Sequence, residues 1–191
     1  MGKFSGVLLT SDFDNTLIYT EDALRSGVPV PPLSEANRTA LEYFMAEGGH
    51  FAIATGRALA AFRKYVDQVP MNTPGVVCNG AALYDFAKGE YLETALLDGI
   101  VRERGQEILE HFPEAAVEAY HIDNVIRAVG PKEITHQHEH LAEVGVEEKA
   151  TLRDGPRPLG KLLFEADHET LEEIKAYLAE RGWAEDYELI F

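Results

Sequence analysis

Short apolar runs punctuate the first half of the chain, and each gives way to a small polar cluster. They read VLLTSDFDNT from Val7, FAIATGR from Phe51 and VVCNGA from Val76. Continuous apolar runs this short suit strands covered on both faces, as in a parallel sheet. The pattern predicts strands over Val7–Thr10, His50–Ala54 and Val76–Cys78. Between the first two, LIYTEDALRSGVPVPPL reads as a loop rich in Pro and Gly. Ser34 then opens a helix, SEANRTALEYFMAEG, whose apolar Ala40, Leu41, Phe44 and Met45 recur at helical spacing, and Gly48–Gly49 stop it. A shorter helix is expected from about Ala58 to Val66, ending near Pro70. The alternation of strand and helix points to right-handed crossovers and a parallel sheet.

The patterning changes after Ala82. LYDFAKGEYLE reads as a hairpin around Lys88–Gly89, followed by a helix over about Asp98–His111. AVEAY and NVIRAV read as antiparallel strands joined by a short turn at His121–Asp123. A helix over about Lys132–Val144, a loop RDGPRPLG, a strand KLLFEAD and a helix HETLEEIKAYLAERG come next, and DYELIF closes the chain as a strand-like stretch. The expected division is residues 1–82 as an α/β unit and 83–191 as a separate α+β unit. The apolar end at Phe191 suggests a truncated chain, or a terminal strand that pairs with something. There is no internal repeat.

Composition narrows the partners. The chain has 191 residues, 46% of them hydrophobic, and a formal net charge of −16. That excess of negative charge disfavours nucleic acid and anionic membrane surfaces as partners. It says little against small anionic substrates, which respond to local fields. The lone Cys78 forms no intramolecular disulfide and reads as a buried small apolar residue. No apolar run approaches a membrane span, and the N-terminus lacks signal-peptide and myristoylation patterns. A cytoplasmic protein is expected.

The chemistry lies at the strand ends, where open parallel sheets bind ligands. Asp12 and Asp14 follow the first strand two residues apart, on the same side of an extended chain. Asp12 can attack phosphorus to give an acyl phosphate. Mg²⁺ suits the charge neutralisation this needs, and Asp12 with the Asp14 backbone carbonyl are candidate ligands. Asp14 can protonate the leaving oxygen and later deprotonate water. Asn15 tolerates the left-handed conformation of a tight loop. After the second strand, Thr55 offers a hydroxyl and Gly56 a closely approachable N–H, opening a helix whose N-terminus favours anions. Arg57 is available to bind phosphate or to pair with an acid beside the site. After the third strand, Asn79 can donate to phosphate or order its loop. Each motif alone is weak; the information lies in all three occurring in order, each behind an apolar run.

These residues resemble the haloacid dehalogenase superfamily of phosphohydrolases. SDFDNTL is similar to its first motif, ATGR to its second, and the NGA after a third strand to the Cof-type branch, class IIB. The resemblance covers the whole chain. It implies a Rossmann-like parallel-sheet α/β core, here partial, with an inserted α+β cap after the third core strand. It implies Asp12 as nucleophile, Asp14 as general acid/base, Thr55 and Gly56 as phosphate binders, and Mg²⁺ on Asp12 and the Asp14 carbonyl. It also implies a later lysine and an acidic GD-type loop after the cap, and the sequence stops before either. Lys161 is no substitute, because KLLFEAD reads as a cap strand.

The expected function is a Mg²⁺-dependent phosphatase acting on a small phosphorylated metabolite, such as a sugar phosphate. A catalytically incomplete ligand-binding or interaction protein, and a phosphotransferase of the same chemistry, are the alternatives. Of the smaller signals, His136, His138 and His140 read as a solvated helix face rather than a metal site. His121, Asp123, Asn124 and Arg127 sit at or near a turn and read equally as surface residues or substrate-selecting ones. Glu172, Glu173 and Lys175 read as solvated helix residues.

Overall fold

The computed structural model describes residues 2–135, 144–156 and 158–190. It separates into two units, and each has its own core. The first comprises residues 2–96 with Ile122–Asn124 and residue 144. The second comprises Leu97–His121 and residues 125–135, 145–156 and 158–190. The hairpin that follows Ala82 thus groups with the first unit, and the second begins at Leu97.

In the first unit, β1 (Leu8–Ser11) pairs in parallel with β2 (His50–Ile53), Leu9 opposite Phe51 and Ser11 opposite Ile53. Two helices lie between them in sequence, α1 (Glu21–Arg25) and α2 (Glu35–Ala46). Ser34 caps α2, its hydroxyl accepting the Asn37 N–H at 3.2 Å, and Gly48 ends the helix at φ 88°. α2 buries Leu41 and rests Phe44 and Met45 against the core, the face its periodicity predicts. A single helical turn, α3 (Leu59–Phe62), runs into a 3₁₀ segment, Arg63–Gln68. β3 (Gly75–Val77) meets the end of β2 through a parallel bridge from Ala54 to Val76. β4 (Ala82–Asp85) and β5 (Glu90–Thr94) then form the expected hairpin, with Gly89 at φ 74° in its turn.

Two expectations are corrected here. The first strand is not covered on both faces: β2 is buried, whereas Leu8 is 61% exposed and Leu9 43%. β1 has β2 on one side and no second neighbour among the described residues. The stretch read as a loop after the first motif contains α1, whose five residues are too few to show periodicity.

The second unit is a four-stranded sheet with helices against one face. α4 (Val101–His111) starts where Asp98 accepts the Val101 N–H at 3.1 Å. β6 (Ala116–His121) and β7 (Ile126–Val129) are antiparallel, and β9 (Leu159–Glu165) pairs with β6 on its other edge. β8 (Val146–Glu148) adds in parallel to β7; its three residues give no readable alternation. Val117, Ala119 and Val129 share one face of the sheet and pack with Ile108 and Leu109 of α4 and Ile174 and Leu178 of α5 (His168–Glu180). The closing DYELIF stretch is not a strand. Tyr187 and Leu189 pack onto this core instead, and Arg104 donates to Asp186 at 2.6 Å and to the Tyr187 hydroxyl at 2.9 Å. Side-chain docking of that kind leaves an apolar, aromatic stretch without strand pairing. His136, His138 and His140 lie outside the described residues.

Asp167 caps α5, accepting the Thr170 N–H at 2.8 Å, and this bond holds its carboxyl below the usual carboxylate range. A depressed folded-state value means stability present above the unfolded value of about 3.9 and lost as pH falls through the folded one. Asp167→Ala is therefore expected to lower the urea midpoint at pH 7. Its deficit against wild type should narrow in titrations carried below pH 4. A deficit constant from pH 7 to pH 3 would contradict the charged cap.

Candidate active site

β1 ends at Ser11, so Asp12 and Asp14 sit on the loop beyond its carboxyl end rather than on the strand itself. The loop folds back tightly. Asn15 donates its N–H to the Ile18 carbonyl at 2.8 Å, and Leu17 and Ile18 donate theirs to the Phe13 carbonyl at 3.1 and 3.2 Å. That closure places Asn15 at φ 55°, the left-handed conformation expected of it. Phe13 is fully buried, its ring 5.1 Å from Phe62 and 5.0 Å from Tyr65. Anchoring this aromatic between the two acids leaves Asp12 exposed and Asp14 half-buried, both outside the core.

The second motif supplies the partner of Asp14. Arg57 donates Nε–H to Asp14 Oδ1 at 3.1 Å and Oδ2 at 2.8 Å, and Nη2–H to Oδ1 at 2.8 Å. The arginine side chain is 11% exposed and the aspartate 32%. The guanidinium also lies over Phe13 and Tyr65, 5.5 and 5.2 Å from their ring centres. Of the two roles open to Arg57, pairing with an acid is the one the geometry displays. Thr20, at the head of α1, donates its hydroxyl to Asp14 Oδ1 at 2.5 Å.

The third motif locks onto the second. Thr55 donates its N–H to the Val76 carbonyl at 3.0 Å, Cys78 to the Arg57 carbonyl at 2.9 Å, and Asn79 to the Thr55 carbonyl at 3.2 Å. The Thr55 hydroxyl accepts the Arg57 N–H at 3.1 Å and keeps its own proton to donate. A Cβ on Gly56 would lie 3.1 Å from Nδ2 and 3.2 Å from Oδ1 of Asn79, so glycine is what lets that amide sit against the turn. Cys78, Asn79 and Gly80 all have positive φ, at 54°, 56° and 97°. Cys78 is accordingly half-buried in a sharp turn and not a buried strand residue, because β3 ends at Val77. The helix starts at Leu59, beside the expected Ala58, so the helix N-terminus expected at Thr55–Gly56 does not lie there.

The structure thus draws Asp14, Thr55, Gly56, Arg57 and Asn79 into one network, with Asp12 beside it on the same loop. Asp12 accepts a long bond from Thr16, at 3.4 Å, and the Ser11 hydroxyl donates to its backbone carbonyl at 2.9 Å. Thr20 is the member that sequence reading missed. Its signal was a threonine placed directly before two acids, Glu21 and Asp22, which is the composition of a helix start.

No cluster of three or more His, Cys, Asp and Glu side chains that could hold a metal occurs among the described residues. The loop offers a hard cation the Asp12 carboxylate and the Asp14 carbonyl, since its own backbone hydrogen bonds fall on Phe13 and Ile18. Two oxygen donors on an open loop fit Mg²⁺, which keeps several waters when bound. Lys161 lies on β9 of the second unit, its ammonium 4.4 Å from the Tyr120 ring centre. Nearby, the Tyr120 hydroxyl donates to the fully buried Glu118 at 2.6 Å. At the turn between β6 and β7, Asn124 adopts φ 65° and accepts the Tyr91 hydroxyl at 3.0 Å. His121 lies 3.1 Å from the Pro158 carbonyl, and Arg127 pairs with Glu147 at 3.3 Å.

Parallel strands whose carboxyl ends carry paired acids, a threonine–glycine–arginine turn and an asparagine turn define an α/β protein with a polar cluster at its strand ends. The chain belongs to the haloacid dehalogenase-like hydrolase family, whose sequence profile matches residues 9–185. A search of curated proteins found no match. Solved structures share the fold. A haloacid dehalogenase-like hydrolase from Bacteroides thetaiotaomicron has a TM-score of 0.74 at 18% identity, over 94% of this chain and 64% of its own. A superfamily phosphatase from the same organism gives 0.70 at 22% identity, over 92% and 61%. A sugar phosphatase of subclass IIB gives 0.65 at 16%, over 89% and 62%. The chain therefore spans less than two thirds of the length of these relatives.

The Asp14–Arg57 pair should be measurable in stability. Charge-assisted hydrogen bonds contribute roughly 1.5–3 kcal/mol, so Arg57→Ala should cost about that in urea unfolding. Arg57→Lys should recover only part, since an ammonium cannot reproduce the two-pronged contact. A double-mutant cycle with Asp14→Ala should give a coupling above about 1 kcal/mol. Strict additivity would show that the contact contributes nothing.

Proposed function

We propose that the protein is a Mg²⁺-dependent phosphatase that hydrolyses a small phosphorylated metabolite, such as a sugar phosphate, through an aspartyl-phosphate. The observation that carries this reading is the unequal treatment of two neighbouring carboxylates. Asp12 is exposed at the mouth of β1, while Asp14 is held by Arg57 and Thr20. A nucleophile must be accessible; an acid/base must be held in place. Family membership supports the reaction class, and a sugar phosphatase among the proteins of shared fold supports the substrate class.

In the first step a carboxylate oxygen of Asp12 bonds to phosphorus, and the bond from phosphorus to the ester oxygen breaks. The departing oxygen takes a proton from Asp14 and leaves as an alcohol. In the second step Asp14 takes a proton from water, whose oxygen bonds to phosphorus and releases Asp12 with inorganic phosphate. Oδ1 of Asp14 already accepts from Nε, Nη2 and Thr20, whereas among the described residues Oδ2 accepts from Nε alone. Oδ2 is therefore the oxygen with room to carry the exchanging proton. The Thr55 hydroxyl proton and the Gly56 N–H would receive phosphate oxygens as hydrogen-bond donors on the turn after β2. Mg²⁺ on Asp12 and the Asp14 carbonyl would neutralise the charge between carboxylate and phosphate.

The substrate is bound by local groups, and the net charge of −16 speaks against nucleic acid and membrane partners. One cysteine, and no described helix long and apolar enough to cross a membrane, support a cytoplasmic location. In steady-state assays of the intact protein on phosphate monoesters, Asp12→Asn should reduce turnover to background. Asp14→Asn should reduce it about 10²–10⁴-fold, and chelation of divalent cations should stop it reversibly. Undiminished turnover by Asp12→Asn would overturn the mechanism.

A further inference from the structure

We infer that Thr20 is the positioning residue for the acid/base Asp14, an assignment that rests on the phosphatase reading above. Thr20 occupies the N-cap of α1, where a threonine hydroxyl ordinarily accepts a backbone N–H from the first helical turn. Here it makes no such bond. The capping acceptor comes from Asn15, whose side-chain oxygen accepts the Glu21 N–H at 3.3 Å, while Asn15 Nδ2 donates to the Glu21 carboxylate at 3.2 Å. The hydroxyl of Thr20 is thereby released for Asp14 Oδ1, at 2.5 Å, and the residue is only 2% exposed. A hydroxyl buried to this degree has no water to rotate towards, so its hydrogen bond is directional and persistent.

The consequence is chemical. Arg57 contacts both oxygens of Asp14 and so does not by itself tell them apart. Thr20 contacts Oδ1 alone. It therefore distinguishes the two oxygen positions, filling Oδ1 and leaving Oδ2, with fewer donors, as the one that exchanges a proton. Without the hydroxyl, the carboxylate can rotate about its Cβ–Cγ bond on the arginine fork, and the exchanging oxygen is no longer fixed. Because the hydroxyl does not cap α1, its removal should leave the helix itself intact.

The test compares Thr20→Val, which keeps the shape, with Thr20→Ser, which keeps the hydroxyl, in the intact protein. Two substrates separate the step in which Asp14 acts as an acid from the later one in which it deprotonates water. Glycerol phosphate has a poor leaving group that requires protonation; p-nitrophenyl phosphate does not. For Thr20→Val, kcat on glycerol phosphate should fall by roughly 10–100-fold at unchanged KM, the scale of a misplaced reacting group, and serine should restore most of the loss. In rapid-mixing experiments on p-nitrophenyl phosphate, the first release of p-nitrophenolate should keep the wild-type rate, because that step needs no acid. No fall in kcat on glycerol phosphate, a slowed first release of p-nitrophenolate, or no rescue by serine would overturn the assignment. Crystal structures of the wild type and both variants supply the readout independent of turnover. Asp14 should hold one orientation in the wild type and Thr20→Ser, and more than one in Thr20→Val. A single unchanged orientation in Thr20→Val would overturn the positioning role even if the wild type proved inactive, an outcome that by itself would overturn only the phosphatase reading.

Discussion

The first unit is organised around the contact between Arg57 and Asp14. A two-stranded parallel pair has no turn of its own to set the positions of its strand ends, since the connection between β1 and β2 runs through two helices and long loops. What fixes those ends is a guanidinium from the loop after β2 gripping a carboxylate from the loop after β1. The same guanidinium lies against Phe13 and Tyr65, so the ion pair and the aromatic core brace one another. Backbone bonds from Cys78 and Asn79 then bring the third strand end to the same place.

That arrangement gives two carboxylates, two residues apart, different surroundings. Burial of Phe13 turns both acids outward, but the partners lie on one side only. Asp14 is shared between Arg57 and Thr20, and Asp12 keeps its oxygens nearly unengaged among the described residues. The proposed roles of nucleophile and acid/base rest on that difference, which arises because Arg57, from the loop after β2, reaches Asp14.

Much of this was legible in the chain because it is local. Apolar runs located β1, β2 and β3, the Ser34 cap and Gly48 bounded α2, and Asn15 took the left-handed conformation its loop demanded. The membership of Asp14, Thr55, Gly56, Arg57 and Asn79 in one cluster followed from their shared position after strands. What the sequence did not show depends on partners distant in the chain or on very short segments. The exposure of Leu8 and Leu9 reflects which strands lie beside β1, and periodicity carries no information about that. DYELIF has strand-like composition, yet Tyr187 and Leu189 settle on the core of the second unit. The choice of Arg57 between phosphate and acid, and the use of Thr20 on Asp14 instead of on its helix, are decided by distances across the fold.

The proposed mechanism requires that Asp12 become covalently phosphorylated. This can be read by mixing the intact protein with acetyl phosphate and Mg²⁺, quenching in acid, reducing with borohydride and sequencing the peptides by mass spectrometry. An aspartyl-phosphate is reduced to homoserine, and that conversion should occur at position 12 and at no other aspartate. Phosphate release without modification, or with modification at another residue, would contradict it.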